Sequence, residues 1–273
     1  MEQAVPQENE LISSNKATII LQGRLGSTRL PGKVMLPLAG KPAILHVYER
    51  ICYCRNIDKI IVATTTNPED DVIEKLFSDK EVDIFRGSAD DPLDRYYQAA
   101  LRFDIGHVVR IMSDCPLVDP QIVDELVASY FSGGYDLVHL DGEFPTGLDV
   151  TVFSRRALEK NWQESTLTSD REHITSYISN NPDKFKVGVL NKFHGLLHHR
   201  WVMDEKLDYQ FISQIYDALY QEGTIFKSND ILNFLAENPQ ILKINAGIPR
   251  NQGYLQTRKK DLKLNKKLIK KTL

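Results

Sequence analysis

The sequence predicts an α/β fold, a mainly parallel sheet with helices on both faces. Two observations carry this. Apolar runs of strand length alternate with segments of helical length as far as about residue 131. Prolines 42 and 120 stand at the first turn of two of the helical segments, where a missing N–H costs nothing. In order, "ATIILQ" reads as a buried strand and "PAILHVYERICYC" as a helix. "KIIVATT" is a strand and "PEDDVIEKLF" a helix; "VDIF" is a short strand before the helix "DDPLDRYYQAALRF". "HVVRIM" is a strand, and Pro120 opens the helix "QIVDELVASYF". The pattern then loosens. "YDLVHL", "LDVTVF" and "KFKVGVL" read as strands that need not be parallel, "SDREHITSYISN" as a helix, "HHRWVMD" as a late strand and "EKLDYQFISQIYDALY" as a helix.

Composition narrows the class. The 273 residues suffice for one large domain, and 42% hydrophobic with 26% charged residues is ordinary for a soluble globular chain. A formal charge of -3 argues against a nucleic-acid-binding surface, and no apolar run is long enough to cross a bilayer. Residues 1–15 are polar, unlike a signal peptide, and are expected to be disordered. The expected organisation is a single domain over 16–255, with an excursion over about 140–195 and a basic tail over 256–273. Cys52, Cys54 and Cys115 form no disulfide framework, so a cytoplasmic location is expected. Cys52 and Cys54 read as packing residues on different sides of a helix, and Cys115 as a packed thiol.

The first strand feeds "LQGRLGSTRLPGK". Glycines 23, 26 and 32 allow close approach of backbone N–H groups to an anion, and Arg24, Arg29 and Lys33 supply charge with no acid among them. In open sheets ligands bind beyond the carboxyl ends of the strands, so the loop reads as a polyphosphate cradle. It is neither a Walker loop nor a dinucleotide turn, because Ser27 and Val34 stand where a Walker loop needs glycine and a hydroxyl. The plainer alternative is a solvated cationic loop. In "RIMSDCPLVDP", Asp114 follows a strand end, where an acid facing a triphosphate can hold Mg²⁺; otherwise it caps a turn. Asp119 before Pro120 reads as a helix N-cap. Asp204 in "HRWVMD" reads alone as an N-cap, and paired with Asp114 as a second metal ligand.

Seven segments, in this order, then carry a resemblance: "QGRLGSTRLPGK", "FRGSADDPLDRYYQAA", "VRIMSDCPLVDP", "PTGLDVTVFS", "REHITSYI", "HRWVMD" and "IPRNQGYL". Together, over about residues 17–255, they resemble the cytidylyltransferase family of the spore-coat polysaccharide biosynthesis protein F type. More distantly they are similar to the enzymes making CMP-sialic acid and CMP-Kdo. The resemblance implies a nucleotide-diphospho-sugar transferase (Rossmann-like) fold and transfer of CMP from CTP to an acidic sugar, with Mg²⁺ and release of pyrophosphate. It implies that Arg24, Ser27, Arg29 and Lys33, with Gly26 and Thr28 of the same loop, hold the triphosphate. Asp114 and Asp204 would be the metal ligands, with Arg24 and Lys33 beside them as catalytic groups. Arg86, Gly87 and Ser88 would approach the nucleotide. Arg110, Asp149, Arg171, Glu172 and His173 would lie toward the acceptor, with His173 and Asp149 as the available general bases. The resemblance further implies a homodimer joined through the excursion.

Four departures accompany it. Gly23 replaces the usual alanine, Ser113 a glycine and Thr146 an acid, while "MDEKLD" keeps Asp204 and Asp208 but lacks the Thr-Pro of "VDTPED". A glycosyltransferase using a nucleotide sugar, or a noncatalytic nucleotide-binding protein, are the rival readings. Between Arg258 and Lys271 lie eight cations and one acid, Asp261, with apolar residues at helical spacing. A frayed, solvated helix is expected there, a membrane- or polymer-binding helix being the alternative.

Overall fold

Ala17–Gln22 is apolar at four of six positions and buried at five, and it becomes β1, buried on both faces and central to the sheet. The computed structural model describes residues 16–272, with side chains as far as 263; the expected disorder of 1–15 lies outside the described residues. A two-stranded antiparallel ribbon follows, β2 (Pro37–Leu38) and β3 (Lys41–Pro42), and leads into α1 (Ala43–Ile51). β4 (Ile57–Thr65), α2 (Asp71–Phe77), β5 (Asp83–Gly87), α3 (Pro92–Arg102), β6 (His107–Met112) and α4 (Pro120–Gly133) continue the alternation. The second half comprises β7 (Leu137–Asp141), β8 (Thr151–Ser154), α5 (Arg155–Glu164), α6 (Thr168–Glu172), α7 (Ser176–Ser179), β9 (Val187–Asn191), α8 (Lys206–Leu219), α9 (Ser228–Glu237) and α10 (Gln252–Thr272).

The seven-stranded sheet has the order β5-β4-β1-β6-β8-β7-β9. All neighbours are parallel except β8, antiparallel to both β6 and β7. One apolar layer packs α1, α4 and α8 on one face, and a second packs α3, α5 and α7 on the other. Local chemistry starts the helices where the sequence places them. Asp91 accepts from Asp94 N–H ahead of Pro92, Asp119 from Gln121 N–H ahead of Pro120, and Ser154 from Ala157 N–H. Asp119 also accepts from Ser228 N–H, which ties the start of α9 to the start of α4.

Four sequence expectations are corrected. His198–Asp204 is not a strand: it is extended but makes a single bridge, between Arg200 and Thr146, and otherwise bonds to isolated backbone groups. The segment over 169–180 is two short helices. His173 N–H closes α6 onto Ser169, and the Ile174 carbonyl is taken by Asn161 Nδ2 at 2.5 Å, so it is not offered to a continuing helix. α1 ends at Ile51, leaving Cys52 as its C-cap and Cys54 beyond it. The basic C-terminal segment is not a solvated tail at its start. Thr257 and Asp261 of α10 are buried, and Asp261 accepts from the Thr168 and Ser169 N–H groups at the head of α6.

Candidate active site

β1, β4 and β6 end side by side, and the chain leaves β1 through the loop 23–33. The loop is held from beneath. Leu25 N–H donates to Asp70 Oδ1 at 2.7 Å, and Asp70, fully buried, also accepts from the Thr65 hydroxyl. Ser27 and Gly32 N–H both return to the Leu25 carbonyl, and Ser27 Oγ accepts from Leu30 N–H at 3.4 Å. Gly26 and Thr28 are exposed at the tip. Arg24 Nη1 donates to the Ala89 carbonyl at 2.6 Å, which joins the loop to the Gly87–Ser88 turn at the end of β5.

Lys33 and Arg29 bring this loop to the two acids. Lys33 Nζ donates to Asp114 Oδ2 and, at 2.5 Å, to Asp204 Oδ1; Arg29 Nη2 donates to Asp204 Oδ2 at 2.8 Å. Burial alone would push the Lys33 ammonium down, but the carboxylates of Asp114 and Asp204 outweigh it and raise its pKa. Burial would raise Asp204, yet Lys33, Arg29 and Arg200 hold it below the usual carboxylate value.

The acids meet because Met203 N–H donates to the Asp114 carbonyl at 2.8 Å and Trp201 N–H to the Thr146 carbonyl at 2.6 Å. Gly147 makes that approach possible. Its φ is +107°, and a Cβ there would lie 2.5 Å from the Trp201 carbonyl carbon. Asp204 does not cap α8. Asp208 does, accepting from the Asp204 and Glu205 N–H groups at 3.0 and 2.9 Å while pairing with Arg200 at 2.8 and 2.9 Å. The Asp204 carboxylate is thereby left for Lys33 and Arg29. Two carboxylates bonded to one ammonium have the chemistry to share a hard cation, and one or two carboxylates with phosphate oxygens suit Mg²⁺. Among the described residues no cluster of three or more His, Cys, Asp or Glu gathers into an all-protein metal cage.

A second polar group lies on the β6–β8 side. Arg110 Nη2 rests 2.9 Å from Met112 Sδ and its Nε is buried without a partner. Thr151, opposite Arg110 in the register of β6 and β8, also buries its Oγ1 without a partner, as His173 does its Nε2. Asp149 accepts from Gly147 N–H at 2.7 Å; burial raises its pKa even though that bond, Arg250 and Arg110 oppose the rise. Burial lowers the His173 pKa, so its imidazole is held neutral. Burial raises the Cys115 thiol well above its ordinary value, which leaves no thiolate for nucleophilic chemistry.

Three sequence candidates are not brought to these groups. Arg86 is committed to the Thr65 and Asn67 carbonyls and to Asp71 and Glu74. Arg171 binds Asp91 at 2.7 Å and the Trp162 and Ser165 carbonyls, which locks α6 onto α3. Glu172 accepts from the Thr257 hydroxyl at 2.8 Å. Conversely, four residues were missed: Asp70, Arg95, Arg200 and Arg250. Arg95 is fully buried, with one donor on the Ser88 carbonyl and Nε and Nη2 unpartnered. Arg250 was visible only as part of "IPRNQGYL"; Asp70 sits in a "PED" run that reads as an ordinary helix start.

This chain is similar to known proteins over most of its length. A family model described as cytidylyltransferase matches residues 18–218. An uncharacterized protein of Methanocaldococcus jannaschii is 35% identical over 86% of this chain and 96% of its own length. The spore coat polysaccharide biosynthesis protein SpsF of Bacillus subtilis is 28% identical over 82% of this chain and 96% of its own length. A 3-deoxy-manno-octulosonate cytidylyltransferase of Geobacter metallireducens is 33% identical over 41% of this chain and 44% of its own length. Among solved structures, a cytidylyltransferase from Leptospira borgpetersenii superposes with a TM-score of 0.78 at 30% identity, covering 83% of this chain and 97% of that one. A CMP:2-keto-3-deoxy-manno-octonic acid synthetase complexed with CTP shares the fold, with a TM-score of 0.60 at 16% identity over 74% of this chain and 98% of that one.

Proposed function

This chain belongs to the cytidylyltransferase family, and from that premise we propose that it transfers CMP from CTP to an acidic sugar and releases pyrophosphate. Its setting is the cytoplasmic synthesis of a surface polysaccharide or glycoconjugate, as the name of the spore-coat relative suggests. The observation that carries the reading is the meeting of the cationic glycine loop with Asp114 and Asp204 at the carboxyl ends of β1 and β6. A glycosyltransferase's nucleotide diphosphate has no leaving pyrophosphate to engage three cations.

In this reading Asp114 and Asp204 hold Mg²⁺, which when bound would neutralise phosphate charge and polarise the α-phosphate. Lys33, Arg29 and Arg24 bind the β- and γ-phosphates, Gly26, Ser27 and Thr28 shape the loop around them, and Gly87 and Ser88 face the nucleoside. The acceptor lies toward Arg110, Asp149 and His173. Its hydroxyl oxygen forms a bond to the α-phosphorus, and the bond from that phosphorus to the bridging oxygen breaks. The electron pair leaves with pyrophosphate, and the hydroxyl proton passes to a base. Asp149 and His173 are the two candidates for that base: burial raises the Asp149 pKa, which makes it a stronger base than an ordinary carboxylate, and lowers that of half-buried His173. Positioning and charge supply the rate, with no covalent enzyme intermediate. A homodimer through about residues 140–195 is part of the same reading. It is supported by β9, an edge strand whose Val189 is 53% exposed.

The test is pyrophosphate release with each of four nucleoside triphosphates against sugar acids, sugar phosphates and phosphonates, with Asp114→Asn in parallel. CTP with an acid should give turnover that Asp114→Asn abolishes while its circular dichroism stays that of the parent. Near-parent turnover in the variant would remove Asp114 from the chemistry, and release with no CTP preference would remove the cytidylyl assignment.

A further inference from the structure

The family match ends at residue 218, yet the structure returns a later segment to the site. Asn245 fixes its approach, donating from Nδ2 to both the Arg200 carbonyl and Asp208 at 2.9 Å. The segment then crosses from one half of the site to the other. Gln252 Oε1 accepts from Arg29 Nη1 at 3.4 Å, and a Cβ on Gly253 would lie 3.9 Å from Arg29 Nη2. At the other side the Tyr254 ring meets His173 edge-on with centroids 5.1 Å apart. Arg250 Nη1 donates to the Phe144 carbonyl at 2.6 Å, and its guanidinium lies 4.7 Å from the Phe144 ring centre. Arg250 and Arg110 both act electrostatically on the half-buried Asp149, and Arg110 keeps a buried Nε without a partner. Arg250 and Arg110 thus give the acceptor side two cations that belong to neither the triphosphate loop nor the acid pair.

We propose that residues 250–254 form the acceptor-facing wall of the site and that Arg250, with Arg110, takes the acceptor's carboxylate and so selects an acidic sugar. The inference rests on the cytidylyltransferase reading and adds to it a specificity residue beyond the matched region. The chemistry is economical. In the cyclic form of a 2-keto sugar acid the carboxylate and the attacking hydroxyl share one carbon, so a carboxylate held by the two arginines brings the hydroxyl beside Asp149. Arginine's planar fork matches a carboxylate's two oxygens.

The probes are CMP and CMP-N-acetylneuraminate, titrated by calorimetry into the parent, Arg250→Ala and Arg250→Lys, with matching melting curves required of all three. The parent should bind the acid conjugate about tenfold more tightly than CMP, as one charge-assisted hydrogen bond allows. Arg250→Ala should lose most of that preference with CMP affinity unchanged, and Arg250→Lys should recover part of it. With an acid that the parent turns over, Arg250→Ala should raise the acceptor KM and leave the CTP KM alone. Equal binding of the two probes by the parent, an unchanged preference in Arg250→Ala, or equal loss for both ligands would each overturn the inference while leaving the nucleotide site intact. Failure of the parent to bind CMP would overturn the cytidylyltransferase reading itself, and the inference with it.

Discussion

Lys33 stands between Asp114 and Asp204 in the free protein, and two demands meet on its ammonium. Without ligand it neutralises two carboxylates that would otherwise repel; with nucleotide, its charge is wanted on the β- and γ-phosphates, where leaving-group charge builds. Lys33→Ala should therefore weaken CTP far more than CMP, by about 1.5–3 kcal/mol for each charge-assisted hydrogen bond it removes. Titration of both nucleotides at fixed Mg²⁺ and salt checks this. Equal weakening of the two would put Lys33 at the α-phosphate or the base, and no weakening would end the cradle. Gly23 and Ser113 make a different pair. The two positions share one volume. A Cβ on Gly23 would lie 2.8 Å from Ser113 Oγ, 3.0 Å from Ile44 Cδ1 and 3.1 Å from Ser113 Cβ, so the serine, with the flexible end of Ile44, fills the space an alanine would need. Gly23→Ala alone should cost about 1–3 kcal/mol through overpacking. Adding Ser113→Gly should restore most of it, a non-additivity read directly from urea unfolding of the four proteins. Simple additivity of the two changes would show that the sites are independent.

At the scale of elements, the extended segment His198–Asp204 does the most for the site with the least regular structure. Its residues read as a strand because "HHRWVMD" has strand composition, but its partners are Thr146 and Asp114, remote in sequence and invisible to periodicity. Most strands and helices as far as about residue 131 were legible because each has its own apolar pattern, with a cap and a proline as well at α3 and α4; the β2–β3 ribbon, two residues to a strand, has no such pattern. Asp114 was legible too, since a strand end is a local feature. What was not legible depends on pairings between distant segments: Asp208 capping α8 in place of Asp204, Asn161 taking the Ile174 carbonyl, and Arg250 returning to the Phe144 carbonyl. His199 makes this segment sensitive to acid. Buried with Nδ1 unpartnered and next to His198, its pKa is lowered to about 4. The unfolded chain therefore takes up a proton near the ordinary histidine value while the folded one resists until near 4, so stability is full at neutral pH and falls as pH drops through that window. His46, His107 and His173 are also lowered by burial and act in the same direction. Between pH 7 and 5 the His199 share is about 2 kcal/mol. His199→Gln should shrink the pH dependence of the unfolding free energy, read from urea curves, by that amount, and an unchanged dependence would mean that His199 titrates alike in the folded and unfolded chain.

Taken as a whole molecule, the sheet has two edges, β5 and β9, and they are unlike. β5 starts with Asp83, paired to Lys59, and ends in the site. β9, within the excursion, presents Val189 at 53% exposure, and the excursion also exposes Leu167 at 39%. An exposed edge with apolar side chains is an association surface unless it is covered, and a two-fold pairing would cover it with its own copy. A two-fold interface meets each residue twice, so one charged substitution acts twice. The parent should be a dimer by light scattering at micromolar concentration, and Val189→Glu should be a monomer; a monomeric parent would end the dimer reading. The same variant asks where the site resides. Lys33, Arg29, Asp114 and Asp204 meet within one chain, held by backbone bonds from Thr146 and Met203 of that chain. A monomeric Val189→Glu protein should therefore keep CTP affinity within about twofold of the parent, since uncovering a remote edge strand removes no charge-assisted hydrogen bond to phosphate. Should CTP affinity fall together with dimerisation, the second subunit would have to support the loop 23–33 or the Asp204 segment.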